Sequence, residues 1–473
     1  MDKKMHKLAS DTTAFAISRF ASRAITFLLL PLYTSVLSTA EYGVSDAILT
    51  TINLLSPILT LCISESILRM TFEIDYKRNE LFWSATVFLL IGTILLCSCT
   101  VFANNLNISF RDYWWDFVII YALYNFDQNI SYFARALNKV RVIAIVGVIQ
   151  TVVIVSCNIL FLLILKTGLY GYFLSTIFGY IVAIIFNIVL GRLYKYFFPL
   201  KVNISLVKKM LIYSVPLVIT SIAWWINTSA DKYMIEYFLG VDQRGIYAVA
   251  YKIPLIMTTI TTIFTDSWRL TAYEDNSDEF PTFFSSVLNK LFGVCTLICS
   301  VLVISSEGLA KILFAKDFFV AWTCVPFLLM AFVFSTLSGY LASLFTKNKL
   351  TAKMSISTVV GCLVNISLNT ILIPIFGTNA AGFTTFVAFF VTWMIRLTQS
   401  KRIIKMDIKN VNFILETAAL FVMALAMMLN VSFRYEISGI CLIIILIMEK
   451  HNIRDICLLV NTFLYKHSTH RKK

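Results

Sequence analysis

The sequence predicts an all-α polytopic membrane protein of about 14 transmembrane helices, built as two six-helix lobes followed by two extra C-terminal helices. Three features lead there. The chain of 473 residues is 59% apolar and only 14% charged, against about 25% charged in soluble domains. Apolar runs of about 20 residues, long enough to cross a bilayer as helices, recur from end to end, whereas a β-barrel would alternate over segments of about 10. A ten-residue stretch beginning at Ser38 recurs at Gly240, as a duplicated lobe requires.

The first apolar run, 12–37, is too long for a signal-peptide core, holds two arginines and has no small-residue cleavage site behind it, so it reads as helix one. Helices two to six follow at 44–69, 82–103, 115–135, 142–165 and 170–190. The basic link from Gly191 to Lys209 is the natural lobe boundary. Helices seven to twelve lie at 207–237, 245–270, 287–305, 320–345, 354–374 and 379–397. Pro254 removes a backbone donor inside the eighth and predicts a kink there. Helices thirteen and fourteen lie at 412–430 and 435–449, the last short enough to be tilted or interfacial. The expected domains are therefore 1–200, 201–405 and 406–473, the third ending in a basic tail.

In the repeat, Ser38–Ala47 lies on Gly240–Val249 and Gly43 falls on Gly245, an offset of 202 residues. Six helices per copy is an even number, so both copies keep one orientation and relate by an axis along the membrane normal. With both termini in the cytoplasm, 30 basic residues fall on the inner side. Six fall in outer loops: Arg111, Lys166, Arg244, Lys311, Lys316 and Arg434. That asymmetry sets orientation, so the net charge of +14 is no nucleic-acid footprint. The ten cysteines sit in or beside apolar runs and read as packing, without zinc-ribbon spacing. The signatures of phosphate-binding loops, zinc proteases and serine hydrolases are absent. The sequence thus predicts no enzyme, metal or cofactor.

Four basic residues remain inside helices: Arg19, Arg23, Lys232 and Lys252. A buried arginine costs roughly 2.5–3.5 kcal/mol at the membrane centre. Arg19 and Arg23, four apart, share a helix face, which predicts a wet cavity that receives an anion. The plain alternative is ion pairing with Asp11, Asp46, Glu65 or Asp127. Lys252, two residues before Pro254, reads as a cavity wall, or as a snorkelling side chain. Asp231 and Lys232 are adjacent and so cannot face one another; local pairing and transport are equal readings. Trp224 and Trp225 read as interface anchors or as a surface for stacking a sugar. Asp266 and Arg269, three apart, read as a self-pair closing helix eight like a gate.

Several segments together resemble a known family. They are Arg19-Phe20-Ala21-Ser22-Arg23 running to Pro31-Leu32-Tyr33-Thr34, Glu41-Tyr42-Gly43, Trp224-Trp225 with Ala230-Asp231-Lys232-Tyr233, Gly245 to Pro254, and Trp268. The combination resembles the Wzx-type polysaccharide repeat-unit flippases (O-antigen and capsule) of the multidrug/oligosaccharidyl-lipid/polysaccharide exporter superfamily. The resemblance implies a V-shaped two-lobe fold in the bacterial cytoplasmic membrane. It implies alternating-access transfer of an undecaprenyl-diphosphate-linked oligosaccharide from the inner to the outer leaflet. It also implies a polysaccharide polymerase as a candidate partner, a diphosphate held by Arg19, Arg23 and Lys252, and a lipid-tail groove at helices thirteen and fourteen. Counter-transport of H⁺ or Na⁺ would need an intramembrane carboxylate, for which Asp46, Asp127 and Asp231 are the candidates. The rival expectations are a lipid II-type flippase and a cation or drug antiporter of the same superfamily.

Overall fold

The computed structural model describes residues 27–71, 77–100, 108–258, 277–348, 350–407, 410–450, 452 and 454, together with 261, 264, 265, 268 and 272. Every regular element among them is a helix, and ten are long and apolar enough to cross a membrane. The chain is an all-helical, polytopic membrane protein. It divides into two compact units, Met1–Ala230 with Gly240–Ala248, and Asp231–Leu239 with Val249–Lys473.

Unit 1 contains α1 (Leu30–Val36), α2 (Thr39–Thr60), α3 (Ile63–Met70), α4 (Arg78–Ser98), α5 (Trp114–Ala136), α6 (Val140–Asn158), α7 (Leu169–Leu190), most of α8 (Ile204–Leu239) and most of α9 (Val241–Ala250). A capping box starts α2: the Glu41 amide donates to the Ser38 hydroxyl at 3.2 Å and the Glu41 carboxylate accepts from the Ser38 amide at 2.8 Å. The predicted helix over 44–69 is in fact two, because Leu61 and Cys62 both turn left-handed at φ 53°, a conformation that side chains with a Cβ rarely adopt. Pro57, one turn earlier, already removes a hydrogen bond from α2. The predicted helix near 115–135 is present as α5. It is not one of the ten apolar spans because Asn125, Asp127, Gln128 and Asn129 dilute it.

The core of unit 1 lies in two apolar clusters with a polar layer between them. One gathers Ile48 and Ile52 of α2, Leu96 of α4, Phe117 and Tyr121 of α5, and Phe173 of α7. The other gathers Ile63 and Ile67 of α3, Phe82 of α4, Ile130 and Phe133 of α5, and Leu206 and Met210 of α8. On α5 the polar layer falls between Tyr121 and Ile130. The Ser56 hydroxyl donates to Asn125 there, the Ser64 hydroxyl donates to Asn129 at 3.0 Å, and the Asn129 amide donates to Thr86 at 3.1 Å. Polar groups far from water must be paired or each costs about 1–3 kcal/mol, and Asn125 and Asn129 find partners on the neighbouring helices.

Unit 2 contains α10 (Phe280–Leu313), α11 (Val325–Lys347), α12 (Thr351–Phe376), α13 (Thr378–Ser400), α14 (Asn410–Met428) and α15 (Arg434–Met448). Its innermost helix is α11, buried almost without break from Val325 to Phe345. The last two helices are built into this unit. Phe413 of α14 stacks on Phe292 of α10 with centroids 3.8 Å apart. Glu307 of α10 accepts from Arg434 at 2.8 Å and from Tyr435 at 2.5 Å, at the start of α15.

Candidate functional site

Arg19, Arg23, Asp266 and Arg269 lie outside the described residues. Lys252 is described, and its setting follows from Pro254. A proline cannot donate to the carbonyl four residues back and its ring crowds that carbonyl, so α9 ends at Ala250. Tyr251, Lys252 and Ile253 form a turn before helix resumes at Pro254. The predicted kink is therefore a break, with Lys252 half-buried inside it.

The two copies of the repeat meet inside unit 1. A Cβ built on Gly43 would collide with the Val241 carbonyl oxygen and stand 3.1 Å from the Gly245 amide nitrogen. A Cβ built on Gly245 would collide with the Thr39 carbonyl oxygen and stand 3.0 Å from the Gly43 amide nitrogen. With the 202-residue offset, Thr39 corresponds to Val241 and Gly43 to Gly245, so the contact is reciprocal. Each copy lays its backbone across the other's glycine, a closeness that only a missing side chain permits.

Polar groups fasten this crossing. The Thr39 hydroxyl donates to Asp242 at 2.6 Å. The Arg244 guanidinium, 0% exposed, donates through Nε to Asp46 Oδ2 at 3.3 Å and through Nη2 to the Thr50 hydroxyl. Thr50 in turn donates to the Asp46 carbonyl at 2.7 Å, and the indole of Trp225 donates to the Thr50 carbonyl at 2.8 Å. This corrects the count of Arg244 among the outer-loop charges, since it lies buried on α9. It also separates the tryptophans: Trp225 is spent on the backbone of α2, whereas Trp224 is 67% exposed.

Asp231 and Lys232 are both buried in unit 2. Asp231 is held by helices far along the chain, accepting from Asn369 of α12 at 2.6 Å and from Thr385 of α13 at 2.6 Å. Asn369 donates on to Asn365 at 3.1 Å and accepts from Thr384. Asp231 is thus a buried carboxylate stabilised by an amide N–H and a hydroxyl from two other helices. Lys232 instead projects its ammonium over the Tyr251 ring, 5.6 Å from the centroid. Asp127, in the polar layer of unit 1, is 8% exposed, and its Oδ1 has no hydrogen-bond partner.

The three candidate carboxylates are thus in different states, which sequence alone left unranked: Asp46 faces an arginine, Asp231 accepts from an asparagine and a threonine, and Asp127 has a bare oxygen. Sequence reasoning also missed Arg396 of α13, counted there as an inner-loop charge. It is 8% exposed and donates to Ser357 Oγ at 2.9 Å, the Ser338 carbonyl at 2.9 Å and Thr358 Oγ1 at 2.7 Å. Every acceptor is neutral. Among the described residues, no three His, Cys, Asp or Glu side chains group as metal ligands.

Several solved structures share the fold, three of which follow. The lipid II flippase MurJ in an inward closed conformation matches at TM-score 0.68 and 14% identity, over 93% of this chain and 99% of that one. A multidrug resistance MATE family transporter of the MOP superfamily, inward-facing, matches at TM-score 0.64 and 13% identity, over 82% and 98%. A MOP superfamily transporter from Pyrococcus furiosus matches at TM-score 0.58 and 12% identity, over 83% and 95%. No curated protein matches the sequence. The model of one family, polysaccharide biosynthesis protein, matches residues 8–268, more than half of the chain and every segment on which the resemblance rests. The chain belongs to the polysaccharide biosynthesis protein family.

Proposed function

We propose that the chain is a flippase that carries undecaprenyl-diphosphate-linked oligosaccharide repeat units from the cytoplasmic to the outer leaflet by alternating access. The observation that carries this reading is the pair Arg19 and Arg23 in the first apolar segment of a polysaccharide biosynthesis protein. Two guanidinium forks suit a diphosphate, because each can donate two parallel hydrogen bonds to it. Lys252, freed from helical geometry by Pro254, is the third cation of the proposed site. A cation or drug antiporter would favour acidic groups in that place. The related reading, a lipid II-type flippase, differs mainly in the sugar.

In this proposal the lobes are 1–200 and 201–405, with 406–473 added, and both termini are cytoplasmic in a bacterial inner membrane. Asp46 with Arg244 is a gating pair, and the crossing of Gly43 with Gly245 must loosen for substrate to leave outward. Asp231 is a coupling carboxylate for H⁺ or Na⁺, supported by its burial and by the polar side chains of α12 and α13 that hold it. Trp224, exposed, remains available to stack a sugar ring. A polysaccharide polymerase would be the downstream partner.

The test is the leaflet location of lipid-linked oligosaccharide in cells with and without the protein. Deletion is expected to build it up on the inner leaflet. The intact chain should relieve this, Arg19→Ala/Arg23→Ala should not, and Arg23→Lys should relieve it in part, keeping charge but losing the fork. Full export by the folded double variant would end the anion-site reading. No build-up on deletion, with altered resistance to cationic drugs, would favour the antiporter.

A further inference from the structure

The polar layer of unit 1 satisfies its amides and leaves its one acid bare. Asn125 donates to the Tyr121 carbonyl at 2.9 Å and accepts from Ser56, and Asn129 accepts from Ser64 and donates to Thr86. Asp127 stands between them in sequence, about 200° around the helix from Asn125, and so turns away from those partners. Its Oδ1 is buried and meets no donor, and among the described residues no lysine or arginine pairs with it. The titratable groups facing it are phenols: Tyr124 on its own helix and Tyr180 on α7, whose rings lie 6.1 Å apart. Tyr124 also connects this place outward, its hydroxyl donating to the exposed Asn53 at 3.3 Å.

A lone carboxylate charge in such surroundings is too costly to persist bare. A structural role would show as hydrogen bonds like those of the neighbouring asparagines, and Asp127 makes none on Oδ1. We propose that Asp127 is a binding site for a small monovalent cation, H⁺ or Na⁺, reached past Asn53 and Tyr124 and distinct from the Asp231 setting in unit 2. Its purpose, to couple cation movement to transport, rests on the flippase reading. The binding itself does not.

The test uses the full chain in lipid nanodiscs with the two cations as probes. Infrared spectra across a pH range read protonated carboxyl groups, and saturable uptake of radioactive sodium reads Na⁺. Asp127→Asn keeps shape and removes charge, so it is expected to fold and melt no lower than the wild type while losing either one titrating carboxyl or one sodium site. Which signal is lost identifies the ion. Asp127→Glu should keep that signal. Unchanged pH and sodium responses in Asp127→Asn would overturn the site, and so would unfolding of that variant, which would make the carboxylate part of the fold's support. Neither readout needs a transported substrate, so a wild type that moves no lipid-linked oligosaccharide would sink the flippase reading and leave this result standing.

Discussion

Replacing Arg244 by Met keeps a long apolar stem and deletes the guanidinium. Asp46, whose side chain is 11% exposed, then loses the donor 3.3 Å from its Oδ2, and Thr50 loses a second donor. Breaking one side of a buried ion pair costs about 3–5 kcal/mol, because the surviving charge stays out of water. At the lower figure the crossing of α2 with α9 loosens by roughly 150-fold in equilibrium. The Thr39 hydroxyl and Asp242 carboxylate touch at 2.6 Å in the same crossing, so a Thr39→Cys/Asp242→Cys pair can report its closure by disulfide yield in membranes. Arg244→Met is expected to lower that yield and the melting temperature together. Adding Asp46→Asn should restore most of both, since a neutral pair leaves no charge stranded. A single variant that melts and cross-links like the parent, or a double variant as impaired as the single, would refute the assignment of the pair as a closed electrostatic lock.

Gly43→Ala and Gly245→Ala each place a methyl group against a backbone carbonyl of the other repeat copy. Each should destabilise by about 1–3 kcal/mol through overpacking, read as a lower melting temperature, whereas Gly308→Ala, with open space at its Cβ, should have little effect. Arg396→Met removes the charged hydrogen bonds to the Ser338 carbonyl and to the hydroxyls of Ser357 and Thr358. A loss of about 1.5–3 kcal/mol for each such bond should appear as faster hydrogen exchange over the first turns of α12. Glu307→Gln weakens the hold on Arg434 and Tyr435 and should raise exchange selectively at the start of α15.

Hydropathy shows where a helix can lie, and so α4, α6, α7 and α10 to α13 fall close to their expected places. The repeat was legible too, because Gly43 and Gly245 carry it in their own neighbourhoods. What stayed hidden was the partner of each charge. Arg244 and Asp46 are 198 residues apart, and counting charges cannot distinguish a solvated arginine from one whose acid comes from a different helix. Arg396 was miscounted for the same reason, its acceptors lying on α11 and α12. The break at Leu61–Cys62 carries no glycine and no proline at the turn itself, leaving Pro57 as the faint local sign. Asp231 could be named from sequence as a candidate, but Asn369 and Thr385, which define its surroundings, come from helices more than a hundred residues away.

The reciprocal glycine crossing has a bearing on ancestry. A contact in which Thr39 covers Gly245 while its counterpart Val241 covers Gly43 is self-complementary, the property of a two-fold homodimer interface. A half-length forerunner carrying one such turn could have made the same contact with a second copy of itself. Within one chain the two copies need not match, and the fastenings do not: the counterpart of Arg244 is Tyr42, and that of Asp46 is Ala248. The backbone contact has the symmetry of a dimer interface, while the charges that fasten it are one-sided, a combination that two identical chains could not hold.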